Sequence, residues 1–407
     1  MRPPGGPVRI LVADKLAPFV PGRLQDLGAI VTVDARAEGE TLTSRIKDVD
    51  PDVVIVRSTK VEAAQVEAGG SLALVIRAGA GVNTIDLATC SKRGVYVANC
   101  PGKNAVAVAE LTIGHLVNLD RRIADNVASL RAHQWDKKRF GVARGLRGRT
   151  LALLGCGQIG REVARRARAF DMKLVAWDHS LTEADAAALG ITRAPSPEAA
   201  VRDADAVSVH LPLAKETRGR IGESVFAAMK PGAYFLNTAR AEVVDAEALL
   251  RALTEKQLRC GLDVFPDEPG SAQATYDHAI VDHPGVYGTH HIGASTDEAE
   301  EAVGYEVLRI VQAYSDGSTI PNCVNLATST PADHQLVLRH ADRVGVLARV
   351  FSALREANIN IEDMQNIVFS GGHAACARIG IVGSLSDDAL AKLDGDPDIF
   401  SVSQIRI

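Results

Sequence analysis

Aromatic residues and cysteines are scarce in this chain of 407 residues. Aromatic side chains account for only 4% of the sequence, so valine, leucine, isoleucine and alanine are expected to fill the hydrophobic cores. The six cysteines lie far apart and form no Cys-x-x-Cys pair, so the sequence predicts no metal site. Unclustered cysteines, and the lack of an apolar secretion segment before the first predicted strand, are typical of a cytoplasmic protein, which is the location we expect.

Long apolar runs and long basic runs are missing as well. No stretch approaches the roughly 18 consecutive apolar residues of a membrane-spanning helix, so no membrane partner is expected. The net charge of −5 argues against a nucleic-acid partner, and an anionic ligand would have to be held by a few local cations. The remaining composition, 46% hydrophobic and 23% charged, is that of a globular protein long enough for more than one domain.

A glycine-rich motif, Gly-Cys-Gly-Gln-Ile-Gly, follows a predicted buried strand (149–154) and precedes a predicted helix. At such a junction Gly155 permits a tight turn, Gly157 lets the backbone approach a bulky anion, and Gly160 lets the helix pack closely on the sheet. The N–H groups at the start of the helix favour a pyrophosphate. Glycine-rich turns alone are common, but the strand before this one and the helix after it predict a dinucleotide site.

Asp178 ends the next predicted strand. A carboxylate at this point can accept hydrogen bonds from the ribose hydroxyls of an adenosine. His179 and Ser180 follow it, so no arginine stands there to neutralise a phosphate on the ribose. The cofactor is therefore expected to be NAD rather than NADP.

Short apolar runs alternate with polar helical stretches on both sides of this motif, which is typical of parallel sheets covered by helices. The sequence thus predicts an α/β protein with two doubly wound parallel sheets. A discontinuous substrate domain (1–99 and 295–325) would surround an NAD-binding domain (100–294). After a linker at about 322–333, a β-α-β-β-α-β pattern at 334–407 predicts a small α+β, ferredoxin-like module.

Three residues of different chemistry follow successive predicted strands of the second sheet: Arg240, Glu268 and His291. A guanidinium can hold a carboxylate in a two-pronged grip, and an imidazole can accept the proton of a hydroxyl group. A carboxylate behind the imidazole would orient the ring and stabilise its protonated form. A single histidine is more often a packed or surface residue, and a single arginine a salt-bridge partner. The shared position of all three at one sheet edge favours catalysis.

Two loops at strand ends of the first sheet are candidates for holding an anion, because open α/β sheets bind ligands beyond the carboxyl ends of their strands. The candidate residues are Arg57 and Ser58 in one loop, and Arg77, Gly79, Ala80 and Gly81 in the other. The glycines would expose backbone N–H groups to the anion. The alternative is that both arginines are surface salt-bridge partners and the glycines are simple turns.

Five motifs, in this order and spacing, resemble the D-isomer-specific 2-hydroxyacid dehydrogenases: GCGQIG (155–160), HLPL (210–213), NTAR (237–240), DVFPDEP (263–269) and HHIGAST (290–296). The resemblance implies a flavodoxin-like substrate domain and a Rossmann cofactor domain, with the active site in their cleft. It also implies that Arg240 clamps the substrate, His291 acts as acid and base, and Glu268 is the partner of His291. The residues implied to line the NAD site are Gln158, Ile159, Asp178, His210, Pro212, Thr238, Ala239 and Asp263.

The C-terminal module resembles an ACT regulatory domain, and the whole chain resembles the phosphoglycerate-oxidising branch of the family. The resemblance implies NAD-dependent oxidation of D-3-phosphoglycerate to 3-phosphohydroxypyruvate, the first step of L-serine biosynthesis. The Arg57 and Arg77 loops would hold the anionic ends of the substrate. Paired ACT modules would join a homodimer or homotetramer, with L-serine as an effector held by His340, Asp342 and Asn360.

The sequence departs from the family pattern at a few positions. The departing residues are Ala241 and Glu242 after the arginine, His290 before the histidine, and Asp342 and Val344 in the ACT loop. Two other functions stay open at this stage. One is the same chemistry on another small 2-hydroxy or 2-oxo acid, such as the reduction of glyoxylate or hydroxypyruvate. The other is a dinucleotide-sensing binding protein.

Overall fold

The structure is a computed structural model that describes residues 6–269 and 273–407. The chain divides after Asn325 into two compact units. Within the described residues, no helix is both long enough and apolar enough to span a membrane.

The first part of the larger unit is a parallel sheet with helices on both faces. Its elements are β1 (Arg9–Val12), α1 (Val20–Asp26), β2 (Ile30–Val33), α2 (Gly39–Val49), β3 (Val53–Val56), α3 (Ala63–Ala68), β4 (Leu74–Arg77), α4 (Leu87–Lys92) and β5 (Tyr96–Asn99). The strand order is β2-β1-β3-β4-β5, which is the flavodoxin-like order. Strands such as β3 are aliphatic and buried throughout, because helices cover both faces of the sheet.

A second, seven-stranded parallel sheet follows. Its elements are α5 (Ala105–Arg121), α6 (Ile123–Arg131), α7 (Lys137–Phe140), β6 (Thr150–Leu154), α8 (Gln158–Ala169), β7 (Lys173–Trp177), α9 (Glu183–Leu189), β8 (Thr192–Arg193), α10 (Pro197–Val201), β9 (Ala206–Val209), α11 (Glu223–Ala228), β10 (Tyr234–Asn237), α12 (Ala246–Glu255), β11 (Arg259–Leu262), α13 (Ala279–Asp282) and β12 (Val286–Gly288). The strand order is β12-β11-β10-β9-β6-β7-β8. This is the Rossmann order with one extra strand, and its direction of winding reverses between β6 and β9.

The helix α14 (Asp297–Ser315) follows the second sheet in the sequence but packs on the first. Its Val307 and Ile310 share one core with Ile10 of β1 and Ile55 of β3. The first turn of α14 therefore lies near the carboxyl ends of β3 and β4. The predicted domain boundaries inside this unit stay a prediction.

The smaller unit is an antiparallel sheet with two helices. Its elements are β13 (His334–Ala341), α15 (Val346–Glu356), β14 (Ile361–Val368), β15 (Ala374–Ile381), α16 (Asp387–Asp394) and β16 (Ile399–Arg406). The strand order is β14-β15-β13-β16, and the core holds Leu336 and Ile379 of the sheet with Val350 and Leu393 of the helices. The predicted fold class, two doubly wound parallel sheets and a ferredoxin-like module, is confirmed.

The observed strands end earlier than the apolar runs in the sequence. The run 232–240 forms a strand only up to Asn237, so Thr238, Ala239 and Arg240 stand in the loop that follows. This matters for function, because loops at the carboxyl ends of parallel strands carry the binding residues of such folds. The two-residue strand β8 is not predicted, because two residues carry too little pattern to identify.

Candidate active site

A cleft of about 420 Å³ opens at the carboxyl ends of strands in the second sheet and faces the loop after β4. It lies at the point where the winding direction of the sheet reverses, which is where doubly wound sheets bind ligands. Most of the predicted site residues line it together: Ala80, Gly81, Gly157, Gln158, Ile159, His210, Pro212, Thr238, Ala239, Arg240, Asp263 and His291.

His291 and Glu268 form a hydrogen-bonded pair beside this cleft. Nδ1 of His291 lies 2.6 Å from Oε2 of Glu268, and Oε1 of Glu268 accepts the backbone N–H of Phe265 at 2.7 Å. Burial by itself would raise the pKa of Glu268, but the hydrogen bonds from His291 and Phe265, with the charges of His291 and Arg240, lower it. The ionised carboxylate favours a proton on Nδ1, which leaves Nε2 free to exchange a proton with a ligand.

Asp263 fastens the loop that carries His291. Its buried carboxylate accepts the hydroxyl of Thr289 at 2.6 Å and the backbone N–H groups of Ile292 and Gly293 at 2.9 and 2.8 Å. His291 itself has a left-handed backbone with φ of 53°, a conformation that side-chain-bearing residues seldom adopt. The surrounding hydrogen bonds therefore hold His291 in a backbone geometry that a free loop would avoid.

Arg240 stands after β10 and reaches toward the first sheet. Its Nη1 donates a hydrogen bond to the carbonyl oxygen of Ala239 at 2.6 Å. A side chain at Gly81 would come within 2.8 Å of Nη2 of Arg240, so the glycine makes room for the guanidinium. Asn237 braces the loop, since its side chain accepts the N–H of Ala239 at 3.0 Å and donates to the carbonyl oxygen of Arg240 at 2.9 Å.

The glycine-rich turn between β6 and α8 is closely packed on one side and open on the other. Gly155 has a φ of 102°, and a side chain there would strike the backbone of His210 at 2.7 Å. A side chain at Gly160 would strike the carbonyl oxygen of Gly155, so α8 begins directly against the turn. Gly157 has open space where its side chain would be. The start of α8 is therefore accessible to a pyrophosphate.

Asp178 is tied to the same turn. Its Oδ2 accepts the backbone N–H of Cys156 at 2.7 Å, and its Oδ1 accepts the N–H and the hydroxyl of Ser180 at 2.8 and 2.7 Å. Burial would raise the pKa of Asp178, but these hydrogen bonds outweigh burial and lower it. An ionised, oriented carboxylate at the end of β7 fits the ribose hydroxyls of an adenosine.

The His210 ring lies in the wall of the cleft and has one buried nitrogen without a hydrogen-bond partner among the described residues. Its Nε2 lies 2.8 Å from the hydroxyl of Ser208, whereas Nδ1 is buried without a hydrogen-bond partner among the described residues. Burial lowers the pKa of His210 to about 3, so the ring is neutral at physiological pH. An unpaired buried nitrogen at this place fits a bound cofactor group that supplies the missing hydrogen bond.

A smaller cavity of about 80 Å³ lies beside the cleft and shares Asn104 with it. The Arg77 side chain folds back over Gly79, where any side chain would overlap the guanidinium. Nε of Arg77 and Oδ1 of Asn104 are buried and have no partner in the described part of the chain. Burial, with the charges of Arg240 and Arg57, lowers the pKa of Arg77 to about 10. An anion in this cavity would stabilise an otherwise poorly compensated cation.

The Arg57 loop already has protein partners. Oδ2 of Asp14, in the loop just after β1, accepts the backbone N–H groups of Arg57, Ser58 and Thr59 at 2.6, 3.0 and 2.9 Å. Nη1 of Arg57 donates to Oε1 of Glu300 at 2.6 Å. Arg57 lines the smaller cavity, whereas Ser58 turns its hydroxyl toward Asp14 at 3.4 Å. The substrate role of Arg57 and Ser58 stays a prediction, because both residues already form hydrogen bonds within the protein.

In the smaller unit, His340 is a packed residue. Its ring is buried, with Nδ1 2.8 Å from the carbonyl oxygen of Ala341 and Nε2 3.2 Å from Oδ1 of Asn366. Asp342 is exposed in the following loop. His340 therefore takes part in a hydrogen-bonded core contact of the module.

The structure does not bring Asn360 to His340 within one chain. His340 pairs with Ala375 of β15, whereas Ile361, which follows Asn360, pairs with Ile381 at the other end of that strand. The separation is about 20 Å at roughly 3.3 Å per residue. An effector site built from all three predicted residues would need two chains.

Sequence reasoning missed four residues that shape the site: Asp14, Asn104, Thr289 and Glu300. Asp14 carried a usable signal, because it ends the first apolar run of the sequence (9–14) as Asp178 ends the strand after the glycine-rich motif. The other three lie on helices or loops, where sequence spacing does not indicate which way a side chain faces.

Two family models match the chain. Residues 113–293 match the model of the D-isomer specific 2-hydroxyacid dehydrogenase, NAD binding domain, and residues 334–365 match that of the ACT domain. The NAD cofactor and the ACT module predicted from the sequence are thereby confirmed.

The chain is also similar to named proteins. It is 39% identical to the D-3-phosphoglycerate dehydrogenase of Rattus norvegicus over 326 residues, which cover 80% of this chain and 60% of the rat protein. It is 34% identical to the D-3-phosphoglycerate dehydrogenase of Homo sapiens over 384 residues, which cover 93% of this chain and 70% of the human protein. The NAD⁺-bound 3-phosphoglycerate dehydrogenase of Entamoeba histolytica has a TM-score of 0.66 and 27% identity, covering 79% of this chain and 99% of that one. The chain thus spans 60% of the length of the rat protein and 70% of the human one.

Proposed function

The chain belongs to the D-isomer-specific 2-hydroxyacid dehydrogenases, and we propose that it oxidises D-3-phosphoglycerate to 3-phosphohydroxypyruvate, the first step of L-serine biosynthesis, with NAD⁺ as cofactor. The observation that carries the proposal is the Arg77 guanidinium. Its Nε is buried and has no hydrogen-bond partner among the described residues, and the positive charges of Arg240 and Arg57 act on it. Three arginines around adjoining cavities match a small acid with a carboxylate at one end and a phosphate at the other.

His291 is proposed to exchange the proton. Nε2 of its neutral ring accepts the proton of the 2-hydroxyl group, while Glu268 holds the Nδ1 proton and stabilises the imidazolium that forms. Bound NAD⁺ would supply the acceptor for the hydride of the carbon that carries the 2-hydroxyl group. The electrons of the O–H bond become the second bond of the carbonyl group, so the product is a 2-oxo acid. In the reverse direction, His291 returns the proton.

Arg240 is proposed to clamp the substrate. A planar guanidinium can bind both oxygens of the substrate carboxylate and thereby fix the orientation of the neighbouring carbon, C2, at which the reaction takes place. The same positive charge stabilises the carbonyl oxygen as it forms. Support comes from the place of Arg240, between the NAD-site loops and Gly81 of the first sheet.

The residues present fit NAD. The accessible start of α8 at Gly157 and Gln158 suits the pyrophosphate, and the oriented carboxylate of Asp178 suits the adenosine ribose. Nδ1 of His210 is buried without a partner in the described part of the chain. These residues are proposed to hold the cofactor, and Pro212, Thr238 and Ala239 to line its site.

A second candidate is the same chemistry on another small 2-hydroxy or 2-oxo acid, such as the reduction of glyoxylate or hydroxypyruvate. The observation that favours it is the ion pair between Arg57 and Glu300, which reduces the positive charge available to a phosphate. Substrate choice within one fold depends on a few such residues.

The ACT module is proposed to join chains and to bind L-serine. β14 is an edge strand of its sheet and exposes Met364, Ile367 and Val368 in part, which supports pairing with another copy as a dimer or tetramer. The distance between His340 and Asn360 in one chain supports an effector site shared by two chains.

The free state of all six cysteines supports a reducing, cytoplasmic location.

The test is a steady-state assay with NAD⁺ that compares 3-phosphoglycerate with glycerate, lactate and 2-hydroxyglutarate, each with and without millimolar serine. We expect the highest kcat/KM with 3-phosphoglycerate, and inhibition by serine. A higher kcat/KM with an unphosphorylated acid would replace the proposed substrate by the second candidate. No turnover of any 2-hydroxy acid would instead favour a dinucleotide-sensing binding protein.

A further inference from the structure

The two arginines of the smaller cavity differ in their partners. Arg57 donates to the Glu300 carboxylate at 2.6 Å, so its charge is partly neutralised. Arg77 forms no ion pair within the described residues, and its Nε is buried without a partner. One cation of the pair is therefore open to an incoming anion, and the other is already occupied.

Glu300 belongs to the cavity wall. It lies in the first turn of α14, and it lines the 80 Å³ cavity together with Arg57, Arg77 and Asn104. Its side chain is 33% exposed and that of Arg57 is 31% exposed, so the pair is only partly screened by water. A negative charge thus faces the same space that the proposed substrate's phosphate would enter.

The Glu300 carboxylate weakens the binding of ligands to a degree that depends on their charge. A dianionic group must either displace Glu300 from Arg57 or lie close to a like charge, and both cost binding free energy. An uncharged or weakly charged group can bind beside an intact ion pair. The penalty therefore grows with the negative charge at the far end of the substrate.

We propose that Glu300 is a specificity-determining residue that weakens the binding of substrates with a dianionic distal group by occupying Arg57. The inference rests on the proposed function, since it concerns the distal end of the same 2-hydroxy acid. A positioning role predicts the opposite change in phosphate binding. If Glu300 only positioned Arg57 for a phosphate, loss of the Glu300 charge would weaken phosphate binding.

The test uses Glu300→Gln, which keeps the size of the side chain and an oxygen that can accept from Arg57 but removes the negative charge. Glu301→Gln is the matched control, because it makes the same charge change at the next residue, which is exposed. The probes are 3-phosphoglycerate and D-glycerate, which differ only by the phosphate. Both kcat/KM values are measured for the full chain and its two variants.

We expect Glu300→Gln to lower the KM for 3-phosphoglycerate and to raise the ratio of kcat/KM for 3-phosphoglycerate over D-glycerate by about five- to tenfold. Glu301→Gln should leave this ratio within about twofold of the unmodified chain. An unchanged or reduced ratio in Glu300→Gln would overturn the inference while the proposed oxidation stands.

Calorimetric titration of the same three proteins with 3-phosphoglycerate separates this inference from the proposed reaction. If no 2-hydroxy acid is turned over, tighter binding to Glu300→Gln than to the unmodified chain still supports the role of Glu300. Equal or weaker binding to the variant would overturn that role. Failure of all three proteins to bind 3-phosphoglycerate would overturn the inference together with the proposed substrate.

Discussion

Oε2 of Glu268 lies 2.6 Å from Nδ1 of His291, while Oε1 of the same carboxylate accepts the backbone N–H of Phe265. One oxygen therefore fixes the carboxylate to the backbone, and the other fixes the ring. This division of tasks makes the carboxylate a positioning group for His291 and a stabiliser of its protonated form.

The first prediction concerns Glu268→Gln. The amide cannot stabilise an imidazolium as the ionised carboxylate does, so kcat/KM for oxidation at neutral pH should fall by at least about tenfold. Steady-state kinetics of the oxidation measure the effect. Asp267→Asn removes a charge one residue away and is the control. An unchanged kcat/KM in Glu268→Gln would mean that Glu268 neither positions His291 nor stabilises its protonated form.

Arg240 gives the second prediction. Arg240→Ala should lower kcat/KM by at least about 100-fold, because the carboxylate clamp and the charge at the forming carbonyl are lost together. Arg240→Lys keeps a positive charge but not the two-pronged grip, so it should recover only part of the loss. Near-normal steady-state kinetics in Arg240→Ala would exclude the assigned role.

The third prediction concerns cofactor choice. Asp178→Ala should raise the KM for NAD⁺ by about 10- to 100-fold, because hydrogen bonds to a charged group are lost, and it should narrow the preference for NAD⁺ over NADP⁺. Ser180→Ala removes one hydrogen bond to the carboxylate but leaves its charge, so its effect should be much smaller. The measurement is kcat/KM for each cofactor, and unchanged selectivity in Asp178→Ala would disprove the ribose assignment.

The fold was predictable because aliphatic runs separated by amphipathic stretches allow few arrangements. Helices cover both faces of a parallel sheet, so strands such as Val53–Val56 must be apolar at every position. The glycine-rich turn was predictable for a related reason. Gly155 and Gly160 lie where any side chain would strike neighbouring backbone, and such a constraint is visible in the sequence itself.

The partners of the charged groups were not predictable. Sequence spacing placed Arg57 and Arg77 at strand ends. It could not show that Asp14 and Glu300 bind Arg57, or that Nε of Arg77 has no partner among residues 6–269 and 273–407. Glu300 comes from a helix more than two hundred positions further along the chain. Pairing of this kind depends on how helix α14 returns to the first sheet, and a local pattern carries no record of it.

The last prediction follows from the pKa of Arg77, which burial and the charges of Arg240 and Arg57 lower to about 10. An anionic ligand favours the protonated guanidinium. The affinity for 3-phosphoglycerate should therefore be highest below that pH and should weaken as the pH rises through it. Calorimetric titration between about pH 8 and pH 10.5 measures the dissociation constant, which should rise up to about tenfold per unit above pH 10. In Arg77→Lys the fall in affinity should begin at lower pH, because the lysine ammonium has the lower ordinary pKa and burial lowers it further. If the dissociation constant has the same pH dependence in Arg77→Met as in the unmodified chain, another group is responsible, and Arg77 does not hold the anion.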